Sequence, residues 1–217
     1  SLRSSALKNE KSKDELKKLL PTIKLLKNTF KEIILSIDTF WSNTAKECIL
    51  EGADMINDIS AGNIDKDIFK VIAKYNVPYI IMHMKGTPKN MQDKPEYNNI
   101  VDEIIEYFIK KITTLNSIGI KKIIIDPGFG FGKTLNHNFK ILNNLDKLKH
   151  LKHPILVGVS RKSMIYNLLK TTPHKALNGT SVLNTIALSK GANILRVHDV
   201  KEAIECIKIS TFAKNNF

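Results

Sequence analysis

Six short apolar runs that each close on polar residues constrain this chain more than anything else in it. They cover residues 33–38, 55–58, 79–83, 123–126, 155–162 and 194–199. Their polar ends are Asp38, Asn57-Asp58, His83, Asp126, Ser160-Arg161-Lys162 and His198-Asp199. Strands buried on both faces of a parallel sheet read as continuous apolar runs, not alternating ones. Stretches with helical spacing separate the runs, so the repeating unit is strand–helix and the sheet is parallel. Polar residues at every strand end favour a barrel, whose chemistry sits at the strand-to-helix loops. An open doubly wound sheet would gather them at one switch point. Gly128, Gly130 and Gly132 alternate, which is the wrong spacing for a dinucleotide-binding turn.

Between the runs, apolar spacing predicts helices over 14–27, 42–51, 65–74, 98–117, 135–148 and 180–190. It also predicts a short one from Ser163 and a last one over 200–214. Ser42 and Asp65 are candidate N-caps, and Gly52 a stop. Pro21 is expected to bend or break the first helix. The 98–117 helix is expected to be the longest. Lys85-Gly86-Thr87-Pro88 reads as a loop. The joints Glu51-Gly52-Ala53-Asp54 and Lys190-Gly191-Ala192-Asn193 are near-repeats, as a recurring strand–helix unit would produce. No linker or low-complexity block appears, so residues 1–217 are read as a single domain.

Composition narrows the function. No apolar stretch reaches the roughly 18 residues of a membrane span. No signal-peptide core precedes the first helix. Cys48 and Cys206 fall in separate helical stretches, with no disulfide or metal pattern. A reducing cytoplasm is the plain expectation, with both cysteines as buried small residues. The net charge is +13. The lysines are scattered and lack the interleaved aromatics of a single-strand binder, so solvated faces or anionic small ligands fit better than nucleic acid.

Asp38, Asn57 and Asp126 end three different strands. Carboxylates and an amide clustered this way suit a ligand edge with several N–H donors. Each could instead merely cap its following helix. Ser160-Arg161-Lys162-Ser163 opens a helix and offers an anion site. Arg196 and His198 alternate at the last strand end and so share a face. They fall in the last two strand–helix units, where barrels often bind phosphate. The bland alternative pairs Arg196 with Asp199 and makes His198 a satisfied buried ring. Phe131 could stack on a planar ligand or cover the strand ends. Met82 and His83 read as core residues when taken alone.

Taken together, these segments resemble a known family. Ile37-Asp38-Thr39, Asn57-Asp58-x-Ser60 and Met82-His83-Met84-Lys85-Gly86-Thr87-Pro88 occur in order. Asp126-Pro127-Gly128-Phe129-Gly130-Phe131-Gly132-Lys133, Ser160-Arg161-Lys162-Ser163 and Arg196-Val197-His198-Asp199 follow. The set resembles dihydropteroate synthase, over residues 14 to 212. Corrinoid-dependent methyltransferases share the pterin-binding barrel, but the Met-His-Met and Ser-Arg-Lys-Ser segments fit the synthase better.

The resemblance implies an α/β (β/α)8 TIM barrel. It implies a transferase of folate biosynthesis that uses Mg²⁺ and is inhibited by sulfonamides. The substrates would be 6-hydroxymethyl-7,8-dihydropterin diphosphate and 4-aminobenzoate. It assigns pterin binding to Asp38, Asn57, Met82, Asp126, Phe131, Lys162 and Arg196, with Asp38 and Lys162 catalytic. Arg196 and His198 would hold the diphosphate, and Ser163 the aminobenzoate carboxylate. It further implies a homodimer that engages neither nucleic acid nor membrane.

Six strand ends where the family has eight imply a barrel short of its first two strand–helix units. The Asn that helps bind Mg²⁺ is expected in the missing part. The chain is therefore expected to bind pterin weakly and turn over poorly. Two other classes compete. A Schiff-base aldolase would use Lys162, and a non-catalytic remnant would bind pterin or nucleic acid without turnover.

Overall fold

The computed structural model describes residues 2–86 and 95–215, with the backbone alone for 2–11. The elements alternate: α1 (Leu2–Thr29), β1 (Ser36–Asp38), α2 (Ser42–Leu50), β2 (Met55–Asp58), α3 (Ile68–Tyr75), β3 (Tyr79–Met82), α4 (Ile100–Ser117) and β4 (Ile123–Asp126). Then come α5 (Leu135–Asn143), β5 (Leu156–Val157), α6 (Ser163–Tyr166), α7 (Leu177–Ser189), β6 (Ile194–Leu195) and α8 (Val200–Asn215). A 3₁₀ turn over Leu145–Leu151 follows α5. Strands β1 to β4 form one sheet in sequence order, and β5 pairs with β6.

The chain divides into two compact units, 1–82 with 111–124 and 83–110 with 125–217. In the first, β1, β2 and β3 pair in parallel. Tyr79, Ile80, Ile81 and Met82 are all buried, as a strand covered on both faces requires. α1 packs on α2 and buries Ile23, while Ala45 and Cys48 of α2 are fully covered. Lys27 clamps the end of α1, donating to the Ile33 carbonyl at 2.8 Å and to Asp54 at 2.6 Å. In the second unit, Ile125 bridges Ile155, and β5 and β6 align Leu156 with Ile194. α7 packs on α8 through buried Ala187, Ala203 and Cys206. Both cysteines are free and buried, as expected.

Several sequence expectations need correction. The longest helix is α1, with 28 residues against 18 for α4. Pro21 does not end it. The ring lies on the exposed side, and the buried neighbour Ile23 anchors the helix through the break in its hydrogen-bond ladder. Ser42 and Asp65 are not N-caps. Trp41 and Asp67 hold those positions. Asp65 instead accepts from the Ser42 N–H at 2.7 Å and the Asp67 N–H at 3.2 Å. The predicted 135–148 helix divides at Asn144 into α5 and the 3₁₀ turn. The last two apolar runs hold strands of only two residues. Thr87 and Pro88 of the predicted loop lie outside the described residues.

Candidate active site

In the first unit, parallel pairing sets Asp38 opposite Asn57. Their side chains meet: Asn57 Nδ2 donates to Asp38 Oδ1 at 2.7 Å. That contact orients the amide. Asn57 Oδ1 is left buried, with no partner among the described residues. A buried acceptor left unmet costs about 1–3 kcal/mol, which a ligand N–H would recover. Asp38 itself is exposed, and Met82 is buried at the end of β3.

The next residue after Asn57 behaves differently. Asp58 is fully buried and accepts four hydrogen bonds. They come from Ser60 N (2.7 Å), Ser60 Oγ (2.7 Å), Gly62 N (2.8 Å) and Tyr79 Oη (2.6 Å). Gly62 is obligatory in this turn: its φ is +76°, and a Cβ there would lie 2.2 Å from the Phe69 ring. Lys111 ties the same loop down through the Ala61 carbonyl at 2.7 Å.

In the second unit, Asp126 closes β4 and is 8 % exposed. Its side chain accepts the Gly128 N–H at 2.7 Å. Burial pushes its pKa above the ordinary carboxylate range, opposed by Lys162, the Gly128 N–H, Lys133 and Arg196. The glycine-rich loop follows. Gly128, Gly130 and Gly132 all have positive φ, which explains why glycine alternates here. A Cβ on Gly132 would strike the Lys85 carbonyl at 2.6 Å.

Lys133, the last residue of the glycine-rich motif, turns inward and is buried. Its Nζ reaches the carbonyls of His83 (3.1 Å), Gly128 (2.9 Å) and Phe131 (2.9 Å), and His83 Nδ1 (3.1 Å). Burial lowers its pKa to about 7. Burial, aided by Lys133 and Lys85, lowers that of His83 to about 3, so the ring is neutral.

Lys162 donates to the Phe129 carbonyl, and its Nζ lies 4.8 Å from the Phe131 ring centroid. Burial lowers its pKa as well. Gly158 lies between Lys162 and Arg196, within 4.0 Å of both as measured from a built Cβ. Thus Asp126, Phe131, Lys162 and Arg196 share one neighbourhood. Arg196 follows the end of β6, where its N–H bonds the Val157 carbonyl at 2.9 Å. Neither Arg196 nor His198 lies on the strand, but both are exposed. Ser160 Oγ accepts from the His198 N–H at 3.3 Å and lies 2.9 Å from His198 Nδ1. These two contacts with Ser160 fix the orientation of the His198 ring.

The partner of Asp199 is Arg161, in a fork of 2.9 and 2.7 Å. Ser163 opens α6, which has only four residues, so little helix dipole stands behind it.

Residues 3–198 match the family model described as "Pterin binding enzyme". The dihydropteroate synthase of Escherichia coli K12 is 39% identical over 198 residues, covering 90% of this chain and 70% of that protein. The chain belongs to the dihydropteroate synthase family. The synthase of Clostridium beijerinckii is 40% identical over 200 residues, covering 91% of this chain and 71% of that one. The Yersinia pestis dihydropteroate synthase, solved with a sulfonamide drug, superposes with a TM-score of 0.91. It is 38% identical and spans 94% of this chain and 75% of its own. The Xanthomonas albilineans enzyme in complex with 7,8-dihydropteroate has a TM-score of 0.86, 31% identity and coverage of 94% and 77%.

The fold of this dihydropteroate synthase family member is accordingly that of the (β/α)8 barrel enzymes, with six strands among the described residues. Its sequence announced three structural features around these residues only in part or not at all. Lys133 was legible only as the end of a glycine-rich motif. Asp58 carried a usable signal, the Asp-x-Ser turn. Nothing in the sequence marked Tyr79 as the donor to Asp58. Among the described residues, no group of three or more His, Cys, Asp or Glu could hold a metal ion. The described residues thus offer no cluster of protein ligands that would hold Mg²⁺ by themselves.

Proposed function

We propose that this chain condenses 6-hydroxymethyl-7,8-dihydropterin diphosphate with 4-aminobenzoate, giving 7,8-dihydropteroate and diphosphate. The observation that carries this reading is Asp126: a buried carboxylate with one protein N–H on it and three cations acting on it. Such a group suits the polarised amino and ring N–H edge of a pterin. Asn57 adds a buried acceptor awaiting a donor. Phe131 and Met82 supply apolar surface for a flat ring, and Lys162 a donor for its O4/N5 edge.

In the reaction, the lone pair of the aminobenzoate nitrogen attacks the pterin methylene. The bond from methylene carbon to diphosphate oxygen breaks, and the amine proton passes to solvent. Arg196 and His198 take up the charge growing on the leaving diphosphate. Asp38 favours the cation that develops on the pterin side. Ser163 receives the aminobenzoate carboxylate. No step is routed through Mg²⁺.

We read residues 1–217 as one pterin-binding domain that works in the cytoplasm. None of the described helices is long and apolar enough to cross a membrane. A homodimer is supported by α8, which exposes Val200, Ile204 and Ile207 at helical spacing. Pterin diphosphate and aminobenzoate supplied to the purified chain should yield dihydropteroate, and a sulfonamide should suppress it. Pterin binding without product would favour the non-catalytic reading. Borohydride trapping of a carbonyl substrate on Lys162 would favour the aldolase.

A further inference from the structure

Lys133 lies outside the set of ligand-binding residues, yet it is buried and spends every Nζ proton on the protein. Its contacts have a common target. Gly128 gives its carbonyl to Lys133 at 2.9 Å and its N–H to the Asp126 carboxylate at 2.7 Å. His83 gives its carbonyl to Lys133 at 3.1 Å, while its own N–H bonds the Asp126 backbone carbonyl at 3.0 Å. One ammonium therefore grips two residues that both bond Asp126, one at the side chain and one at the backbone.

We propose that Lys133 is the positioning residue of the pterin-binding carboxylate: it fixes Asp126 through Gly128 and His83 and supplies buried positive charge that keeps Asp126 ionised. This deepens the pterin-binding reading given above and depends on it. The charge is well placed for the task. Lys133 touches no carboxylate; its four acceptors are neutral. Its field is thus not cancelled locally and acts on Asp126. The other groups acting on Asp126 are Lys162, Arg196 and the Gly128 N–H, and Lys162 also acts on Lys133. His83 faces Lys133 as a neutral ring, so it neither adds to nor cancels this charge.

Pterin N–H groups bind the ionised form of Asp126, so affinity is lost as pH falls through its pKa. Removing a nearby cation raises that pKa and moves the loss to higher pH. The test is calorimetric titration of the whole chain with 6-hydroxymethylpterin, at steps between about pH 4.5 and 6.5, below the Lys133 pKa of about 7, so that its ammonium is charged throughout. Lys133→Met should weaken binding about tenfold on the acid side of the limb and move that limb up by about one unit. Lys133→Arg keeps the charge but cannot place one nitrogen on four acceptors. It should lower affinity at every pH and leave the limb within about 0.3 units of the wild type.

A limb in Lys133→Met that coincides with the wild type would overturn the proposal while leaving pterin binding intact. If Lys133→Met does not fold, Lys133→Arg still decides, because a limb moved by a full unit despite the retained charge contradicts it. Absence of any pterin binding by the wild type would instead overturn the reading on which the proposal depends.

Discussion

Two buried aspartates, Asp58 and Asp126, each end a strand, one in each compact unit, and they are built for opposite purposes. Asp58 accepts four hydrogen bonds from Ser60, Gly62 and Tyr79. Its carboxylate is filled by neutral donors, with the Lys111 ammonium acting on it from beyond hydrogen-bond distance, and it braces the loop after β2. Asp126 accepts one protein N–H and is surrounded by cations instead. Cations can keep a buried carboxylate charged without filling its lone pairs, whereas neutral donors at hydrogen-bond distance fill them. The first arrangement leaves an acceptor for a ligand and the second does not. Asn57 shows the ligand-ready logic on a smaller scale, with one end of its amide tied to Asp38 and the other unmet.

Mutation should separate the two aspartates. The largest effect is expected from Asp126→Asn. It removes the charged acceptor for the pterin N–H groups, so pterin affinity should fall by about 2–5 kcal/mol, read by calorimetry. A retained affinity would break the contrast. Next is acid lability centred on His83, whose folded pKa of about 3 lies below the ordinary 6.5. The folded chain binds fewer protons there than the unfolded one. Stability is therefore complete above about pH 6.5 and is lost progressively towards and below about pH 3, by at most about 5 kcal/mol. Chemical denaturation at several pH values should show this slope, and His83→Gln should flatten it.

Tyr79→Phe deletes one of four donors to Asp58. It should cost about 1.5–3 kcal/mol of folding stability while leaving pterin affinity near wild type. Asn57→Ala should do the reverse. Affinity should drop about tenfold, and stability should change by less than about 1 kcal/mol, because the lost acceptor was unmet in the free protein. Asp38→Asn should lower turnover more than pterin binding. Equal losses in both would count against its role at the developing cation.

Much of this was legible beforehand. The strand ends were visible because buried parallel strands are continuous apolar runs, and a polar residue ends such a run visibly. Asp38, Asn57 and Asp126 stand out as strand ends on that signal alone. Local spacing could not rank them, since Asp58 has the same sequence character as Asp126 and differs only in its neighbours. Tyr79 looked like strand filling, and Lys133 like one more of the chain's basic residues. Their partners are 21 residues distant for Tyr79–Asp58 and 50 for Lys133–His83. α1 was underestimated because Pro21 is a local veto that packing of Ile23 overrides. Arg161 stands in the Ser-Arg-Lys-Ser motif with no role that the pattern announces. Its fork to Asp199 depends on a left-handed φ of 53° that no side-chain pattern announces.

The most direct measurement compares Asp126→Asn with Asp58→Asn in one experiment, recording 6-hydroxymethylpterin affinity and thermal midpoint for each. Asp126→Asn should abolish measurable pterin binding in a chain that still folds. Asp58→Asn should lower the midpoint and, below its melting, bind pterin within about threefold of the wild type. The opposite pattern, with pterin binding kept by Asp126→Asn and lost by a folded Asp58→Asn, would contradict the account.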